Sequence, residues 1–167
     1  MAGLKQLQLR YDPLEDRLAL RLSTGEGQEF RFWLTRRYTT LLLAVLDKHQ
    51  AADPEVAEHD TAEARRAVRA FKQEAASAGA AFGGDFEAAP ELPLGDAPIL
   101  AFRLDYRISE ASLNLTIAPK DGAGIAFTLD RNLSLNLGTM LAQALAQADW
   151  VLTIVDAQAQ AQAQALN

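Results

Sequence analysis

The chain repeats itself at a separation of 95 residues, and no gap is needed to align the two copies. Identical residues fall at Leu9/Leu104, Tyr11/Tyr106, Glu15/Glu110, Leu18/Leu113, Leu20/Leu115, Gly27/Gly122, Phe32/Phe127, Leu34/Leu129, Arg36/Arg131, Leu42/Leu137 and Leu46/Leu141. Ungapped repetition over this length indicates two copies of one supersecondary unit. We therefore expect one domain, in which residues 4–50 and 99–155 form the two copies.

Each copy begins with three segments in which apolar and polar residues alternate, a pattern typical of half-buried antiparallel strands. In the first copy these segments are residues 4–11, 17–23 and 29–35, and in the second they centre on Leu104, Leu115 and Phe127. Apolar residues then recur at helical spacing, and the second helix is expected to begin near Asn132 or Ser134. The prediction is an α+β fold of two tandem βββα repeats with pseudo-twofold symmetry, whose antiparallel sheets pack against helices.

Residues 51–98, between the copies, predict an extra helix followed by an acidic loop. The helix is expected over residues 60–80, capped by Thr61, with Ala64, Val68 and Phe71 as a thin apolar stripe. Residues 83–98 contain glycines, prolines and acids and predict the loop. Residues 150–155 are expected to extend the last helix, or to form a strand, and residues 156–167 form an Ala/Gln tail that frays or is disordered.

The composition excludes several classes of function. The chain has no cysteine and a net charge of −6, although residues 1–50 alone carry 8 basic and 6 acidic side chains. His49 and His59 lack metal-ligand spacing and are expected to be solvent-exposed near a helix end. Neither phosphate-loop nor nucleophile motifs occur. We therefore expect no catalysis, no cofactor and no metal, and, without a signal peptide or membrane span, a cytoplasmic protein.

The outward face of the first sheet is the richest candidate site. The strand register places one tryptophan among arginines there, and two more arginines sit at the strand-to-helix junction: Arg10, Arg17, Arg21, Arg31, Trp33, Arg36 and Arg37. An exposed aromatic ring among guanidinium groups can stack unpaired bases and hold phosphates. The alternative is that Trp33 packs into an interface with the second repeat or with another protomer, while the arginines pair with Glu15, Asp16 and Glu29.

Two alternative roles are open for Arg36 and Arg131, the arginines that the two copies share. The first is structural, in which each bonds carbonyls or acids around its strand-to-helix corner. The second is a phosphate clamp. The second copy's outward face is far less basic, so the two copies are not expected to bind nucleic acid equally.

Sheet-plus-helix repeats over residues 4–50 and 99–155 resemble, in topology, the Whirly and PUR-type folds that bind single-stranded nucleic acid. That resemblance implies a single-stranded nucleic-acid partner at the first-repeat face. Residues 30–37, with the sequence FRFWLTRR, also resemble a segment of small uncharacterised proteobacterial proteins, which implies no activity. Two hypotheses follow, both without catalysis: a single-stranded nucleic-acid-binding module and a protein-interaction or assembly protein.

Overall fold

The computed structural model describes residues 3–78 and 85–150, and it confirms the α+β class. Residues 4–51 form the first half, three strands and a helix, and residues 103–148 form the second. The elements are β1 (Leu4–Asp12), β2 (Arg17–Thr24), β3 (Glu29–Leu34), α1 (Arg36–Ala51), α2 (Pro54–Ala57), α3 (Ala62–Ala78), β4 (Ile99–Leu100), β5 (Arg103–Ile108), β6 (Ser112–Ala118), β7 (Ile125–Asp130) and α4 (Arg131–Ala148). Within the described ranges, no helix combines the length and apolar character that a membrane crossing requires.

The first sheet has the strand order β1-β2-β3-β4, and its inward face supplies much of the core. Leu20 of β2 lies between Leu9 of β1 and Phe32 of β3, and both Leu20 and Phe32 are buried. The short strand β4 runs parallel to β3 and pairs Leu100 with Trp33. The first residues of the predicted second copy therefore complete the first sheet instead of entering the second.

The second sheet, with the order β5-β6-β7, reproduces only part of the first sheet's register. Leu115 pairs with Phe127 as Leu20 pairs with Phe32, so this hairpin matches at the 95-residue offset. The first strand of the second copy does not match. Tyr11 lies opposite Leu18, but Tyr106 lies opposite Leu115, two residues further along. The connection between β5 and β6, residues 109–111, is one residue shorter than the connection between β1 and β2, residues 13–16. A slip of two in the pairing keeps every side chain on its original face.

Both long helices begin directly after their sheets, at Arg36 and at Arg131, and each is capped by the preceding residue. Thr35 accepts a hydrogen bond from the Tyr38 amide, and the Asp130 carboxylate accepts one from Leu133 at 2.8 Å. An oxygen at this position satisfies an amide that the helix leaves unpaired. The expected start of the second helix at Asn132 or Ser134 was therefore wrong by one to three residues. Residues 151–155 and the Ala/Gln tail lie outside the described residues.

The helices pack across the two halves and enclose one hydrophobic core. Helix α4 contacts β1 of the first sheet as well as β6 and β7 of its own, and α1 contacts both β3 and β5. The Tyr38 hydroxyl on α1 donates a hydrogen bond of 3.1 Å to the Arg103 carbonyl at the start of β5. The two halves are thus joined by their helices as well as by the chain.

The segment between the copies contains helices α2 and α3. Thr61 caps α3 by accepting a hydrogen bond from the Ala64 amide, as the sequence predicts. The predicted apolar stripe was wrong at Phe71, which is 73% exposed. Helix α3 is fastened instead by polar side chains, because Lys72 bonds the Asp53 carboxylate and Gln73 bonds the Thr139 hydroxyl at 3.0 Å.

Candidate binding surfaces

Trp33 points to the outer face of the first sheet, as its place between Phe32 and Leu34 requires. Those two neighbours are fully buried, whereas Trp33 is half-buried. Its cross-strand neighbours on the outer face are Ala19 and Leu100, and Ala19 in turn pairs with the exposed Arg10. The indole therefore lies in a row with two aliphatic side chains and one cation near it.

Two of the predicted binding arginines are neutralised by a buried carboxylate. Glu29 is fully buried, and it lies 2.8 Å from the Arg21 guanidinium and 2.6 Å from that of Arg31. Burial alone would raise the pKa of Glu29. The hydrogen bonds from Arg31, Arg21 and the Ala89 amide outweigh that effect and hold the pKa below its usual range. Arg21 and Arg31 are therefore bound inside the protein and do not form a free basic surface.

Residues 85–98 of the predicted acidic loop cover half of this face. The Phe86 ring lies 4.1 Å from the Arg21 guanidinium carbon, and Arg31 donates a 2.7 Å hydrogen bond to the Asp96 carbonyl. The Glu91 carbonyl accepts a hydrogen bond from the Glu29 amide, beside the edge of β3. The part of the outer face that carries Arg21, Glu29 and Arg31 is therefore covered by this loop.

The other predicted arginines lie around the end of the first sheet. Arg17 forms a 3.7 Å ion pair with Glu15, and Arg36 one of 3.4 Å with Asp16. The pairing of arginines with Glu15, Asp16 and Glu29, one of the two alternatives, is thus observed. Arg37 is exposed and lies near the beginning of α1.

The structural alternative for the shared arginines is also observed in the second half. Arg131 donates to the Glu110 carbonyl and to the His49 carbonyl. It thereby ties the start of α4 to the β5–β6 turn and to the end of α1. Burial lowers the pKa of Arg131, while Asp53 and Glu110 oppose that shift.

The prediction of solvent-exposed histidines was wrong for His49. Its side chain is fully buried, its Nδ1 lies 2.9 Å from the Ser134 hydroxyl, and within residues 3–78 and 85–150 its Nε2 has no hydrogen-bond partner. Burial lowers its pKa to about 4, and the nearby Arg131 charge adds to the shift. The error has a simple cause: His49 continues the helical spacing of the apolar residues before it and occupies the face that α4 covers.

The exposed apolar surface is concentrated where the chain passes from the first sheet to the second. Leu100, Phe102 and Tyr106 are 41%, 55% and 44% exposed, and among the described residues only Leu14 and Phe71 join them as exposed large hydrophobic side chains. Sequence alternation predicts that Phe102 and Tyr106 face the core beside Leu104. They lie instead at the edge of the second sheet, where β5 has a neighbour on one side only.

A groove runs between α1 and β5, and one of these residues, Phe102, lines it. Its volume is about 320 Å³, and its lining, which defines the α1–β5 groove, is Thr35, Arg37, Tyr38, Leu41, Ala101, Phe102 and Leu104. The corresponding junction between α4 and β1 is filled by Leu4, Leu7, Leu133 and Met140 and leaves only about 10 Å³. The two halves therefore differ: one helix-to-sheet junction is closed, and the other is open and partly apolar.

No family model, no curated protein and no solved structure matches this chain. Across residues 3–78 and 85–150, no group of three or more histidine, aspartate or glutamate side chains is placed to hold a metal ion. The geometry of the open surfaces is therefore the basis for assigning a function.

Proposed function

We propose that this chain is a non-enzymatic binding module that accepts an apolar segment of a protein partner in the α1–β5 groove. The observation that carries the proposal is the Phe102 side chain, which is 55% exposed and lines the groove together with Leu41 and Leu104. Exposed apolar surface costs free energy in water and commonly marks an interaction site.

The groove suits the side chains of a short peptide better than a small polar ligand. Leu41, Phe102 and Leu104 give it apolar walls, and the Tyr38 hydroxyl is already bonded to the Arg103 carbonyl. Burial raises the pKa of Tyr38 well above its ordinary value, so this hydroxyl stays neutral. A partner would gain affinity mainly by burying one or two aliphatic or aromatic residues.

The charges on the more basic face, the outer face of the first sheet, favour a protein partner over nucleic acid. Affinity for nucleic acid depends on cations that are free to neutralise phosphates, and Glu29 already occupies Arg21 and Arg31. The whole chain carries a net charge of −6. In the most basic part of the predicted nucleic-acid site, the positive charges are thus already paired with a carboxylate of the protein itself.

Peptide display tests the proposal with a matched pair of variants. Peptides selected on the wild-type chain are expected to contain clustered apolar residues and to lose at least ten-fold in affinity on Phe102→Asp. Phe71→Asp should bind them unchanged, because Phe71 is an exposed phenylalanine on α3, away from the groove. Failure to enrich any peptide, or equal binding to both variants, would contradict the proposal.

A second candidate, single-stranded nucleic-acid binding, is favoured by the half-exposed Trp33 in a row with Arg10. For Arg10, the described residues provide no ion pair. Such a site would stack one base on the indole, with a contribution of about 1–3 kcal/mol. Anisotropy of a labelled oligothymidylate at low and moderate salt tests it. Binding that weakens with salt and is lost in Trp33→Ala supports this candidate, and no binding at low salt excludes it.

A further inference from the structure

Strand β5 is the first strand of the second sheet, and within the described residues it pairs with β6 alone. At the start of the strand, the Tyr38 hydroxyl already bonds the Arg103 carbonyl. Further along, Asp105, Tyr106 and Arg107 are all exposed. The edge of a sheet presents backbone N–H and C=O groups to any chain that can pair with it. The middle of β5 can therefore accept a further strand.

The side chains of β5 form a pattern that is complementary to itself. Asp105 and Arg107 lie on one face of the strand, and Leu104, Tyr106 and Ile108 lie on the other. When two copies pair antiparallel about Tyr106, Asp105 of each copy lies opposite Arg107 of the other. The same register places Leu104 opposite Ile108 twice and Tyr106 opposite itself. Opposite charges, aliphatic pairs and aromatic pairs in these positions stabilise a sheet.

The two neighbouring registers lack this complementarity. A pair centred on Asp105 would place that carboxylate opposite its own copy and Arg103 opposite Arg107, and like charges directly opposite are destabilising. A pair centred on Leu104 would place Arg107 opposite Ala101. The Ala101 residue is buried, and its amide is hydrogen-bonded to the first sheet, so it is not part of an open edge.

The two charged side chains lack a counter-charge within one molecule. Across residues 3–78 and 85–150, neither Asp105 nor Arg107 forms an ion pair. Their neighbours on β6 are the uncharged Thr116 and Asn114. Arg103, by contrast, is bonded to two carbonyl groups of the β6–β7 connection. A second copy would supply the opposite charge to both Asp105 and Arg107.

We propose that two copies of this chain pair antiparallel through their β5 edges, centred on Tyr106. The two three-stranded sheets would then join into one sheet of six strands. Such an interface is isologous, so every contact away from the twofold axis occurs twice. The inference goes beyond the proposed function and does not depend on it, since only Leu104 of residues 104–108 also lines the α1–β5 groove.

Charge exchange tests the pairing. Sedimentation of the wild-type chain at rising concentration should show a species of twice 18.1 kDa. Asp105→Arg and Arg107→Asp each place like charges opposite one another twice, so each should raise the dimer Kd at least ten-fold. An equal mixture of the two variants should form a heterodimer with nearly the wild-type Kd, because each variant then meets the opposite charge on the other.

The matched controls are Asp60→Arg and Arg66→Asp, which make the same changes of charge outside β5 and should leave the dimer Kd unchanged. A wild-type chain that stays monomeric at high micromolar concentration would overturn the inference. Single variants that dimerise like the wild type would also overturn it, and so would a mixture that stays monomeric while circular dichroism shows both variants folded.

A single-cysteine trap reports the register directly, because the chain contains no cysteine. At Tyr106→Cys, the two Cα atoms would lie about 4.5–5.5 Å apart, which is within the range of a disulfide. The control Glu110→Cys, at an exposed position in the β5–β6 turn, would lie roughly 27 Å from its copy along the strands. We expect Tyr106→Cys to oxidise to a covalent dimer at least ten-fold faster than Glu110→Cys. Equal rates would overturn the pairing centred on Tyr106.

Discussion

The imidazole Nδ1 of His49 lies 2.9 Å from the hydroxyl of Ser134, and both side chains are fully buried between α1 and α4. This contact joins the last turn of one long helix to the first turn of the other. The charged groups near it are Arg131, Asp53 and Asp130. Because Nε2 has no hydrogen-bond partner among the described residues, protonation would place a buried charge beside a guanidinium.

The first prediction is a loss of stability between pH 6.5 and about 4.5 that depends on His49. The pKa of His49 falls from 6.5 to about 4 on folding, so the unfolded chain binds the additional proton in this interval. Stability is then complete above pH 6.5 and decreases as the pH falls towards the folded pKa. The expected loss is on the order of 2 kcal/mol, measured by urea denaturation at several pH values.

His49→Gln should flatten this part of the pH profile, because the titrating group is gone. His59→Gln is the matched control and should leave the slope unchanged. The carboxylates with lowered pKa values, such as Glu29 and Asp53, have ordinary pKa values of 4.5 and 3.8. Their contribution therefore begins only at the acid end of this interval, and it is present in both histidine variants. A slope that persists in the His49 variant would show that another group is responsible.

The second prediction concerns Glu29, the buried carboxylate that holds Arg21 and Arg31. Glu29→Gln keeps the size of the side chain but leaves two partly buried guanidinium groups without their counter-charge. Removing one partner of a buried ion pair typically costs about 3–5 kcal/mol, and we expect about 2–4 because both arginines retain some solvent contact. Denaturant unfolding measures it. Glu15→Gln, at an exposed pair, should change the free energy of unfolding by less than about 0.5 kcal/mol.

The third prediction tests the equivalence of the two sheets. Leu20 and Leu115 occupy the same place in each, opposite Phe32 and Phe127 respectively, and both are almost completely buried. Replacing either with alanine should lower the free energy of unfolding by roughly 2–5 kcal/mol. The exposed Leu14→Ala is the control and should have little effect. A loss below about 0.5 kcal/mol at both core positions would contradict the assigned inward face.

Alternation and helical spacing were sufficient to predict the sheets and the long helices, because burial on one face leaves a period in the sequence. The two-residue slip of β5 could not be predicted, since it places Tyr106 on the same face and preserves the alternation. The contact of Phe86 with Arg21 could not be predicted either, because residues 85–98 have no periodic pattern. The pairing of Glu29 with Arg31 could be predicted from the sequence, because these residues lie two apart on one strand.

The fourth prediction is that Trp150, rather than Trp33, is the tryptophan that stabilises the fold. Trp150 is buried, bonds Asp16 and contacts Tyr11 and Arg36, whereas Trp33 is half-buried on the outer face. Trp150→Ala should therefore lower the free energy of unfolding by about 3–5 kcal/mol, and Trp33→Ala by clearly less. Denaturant unfolding of the two variants gives the comparison.

Tryptophan emission provides an independent readout, because these are the only two tryptophans in the chain. In Trp33→Phe the remaining emission comes from Trp150 and should be blue-shifted and resistant to acrylamide. In Trp150→Phe the emission from Trp33 should be red-shifted and quenched readily. The reverse assignment would place Trp33 in the core. It would then remove the nucleic-acid candidate at Trp33.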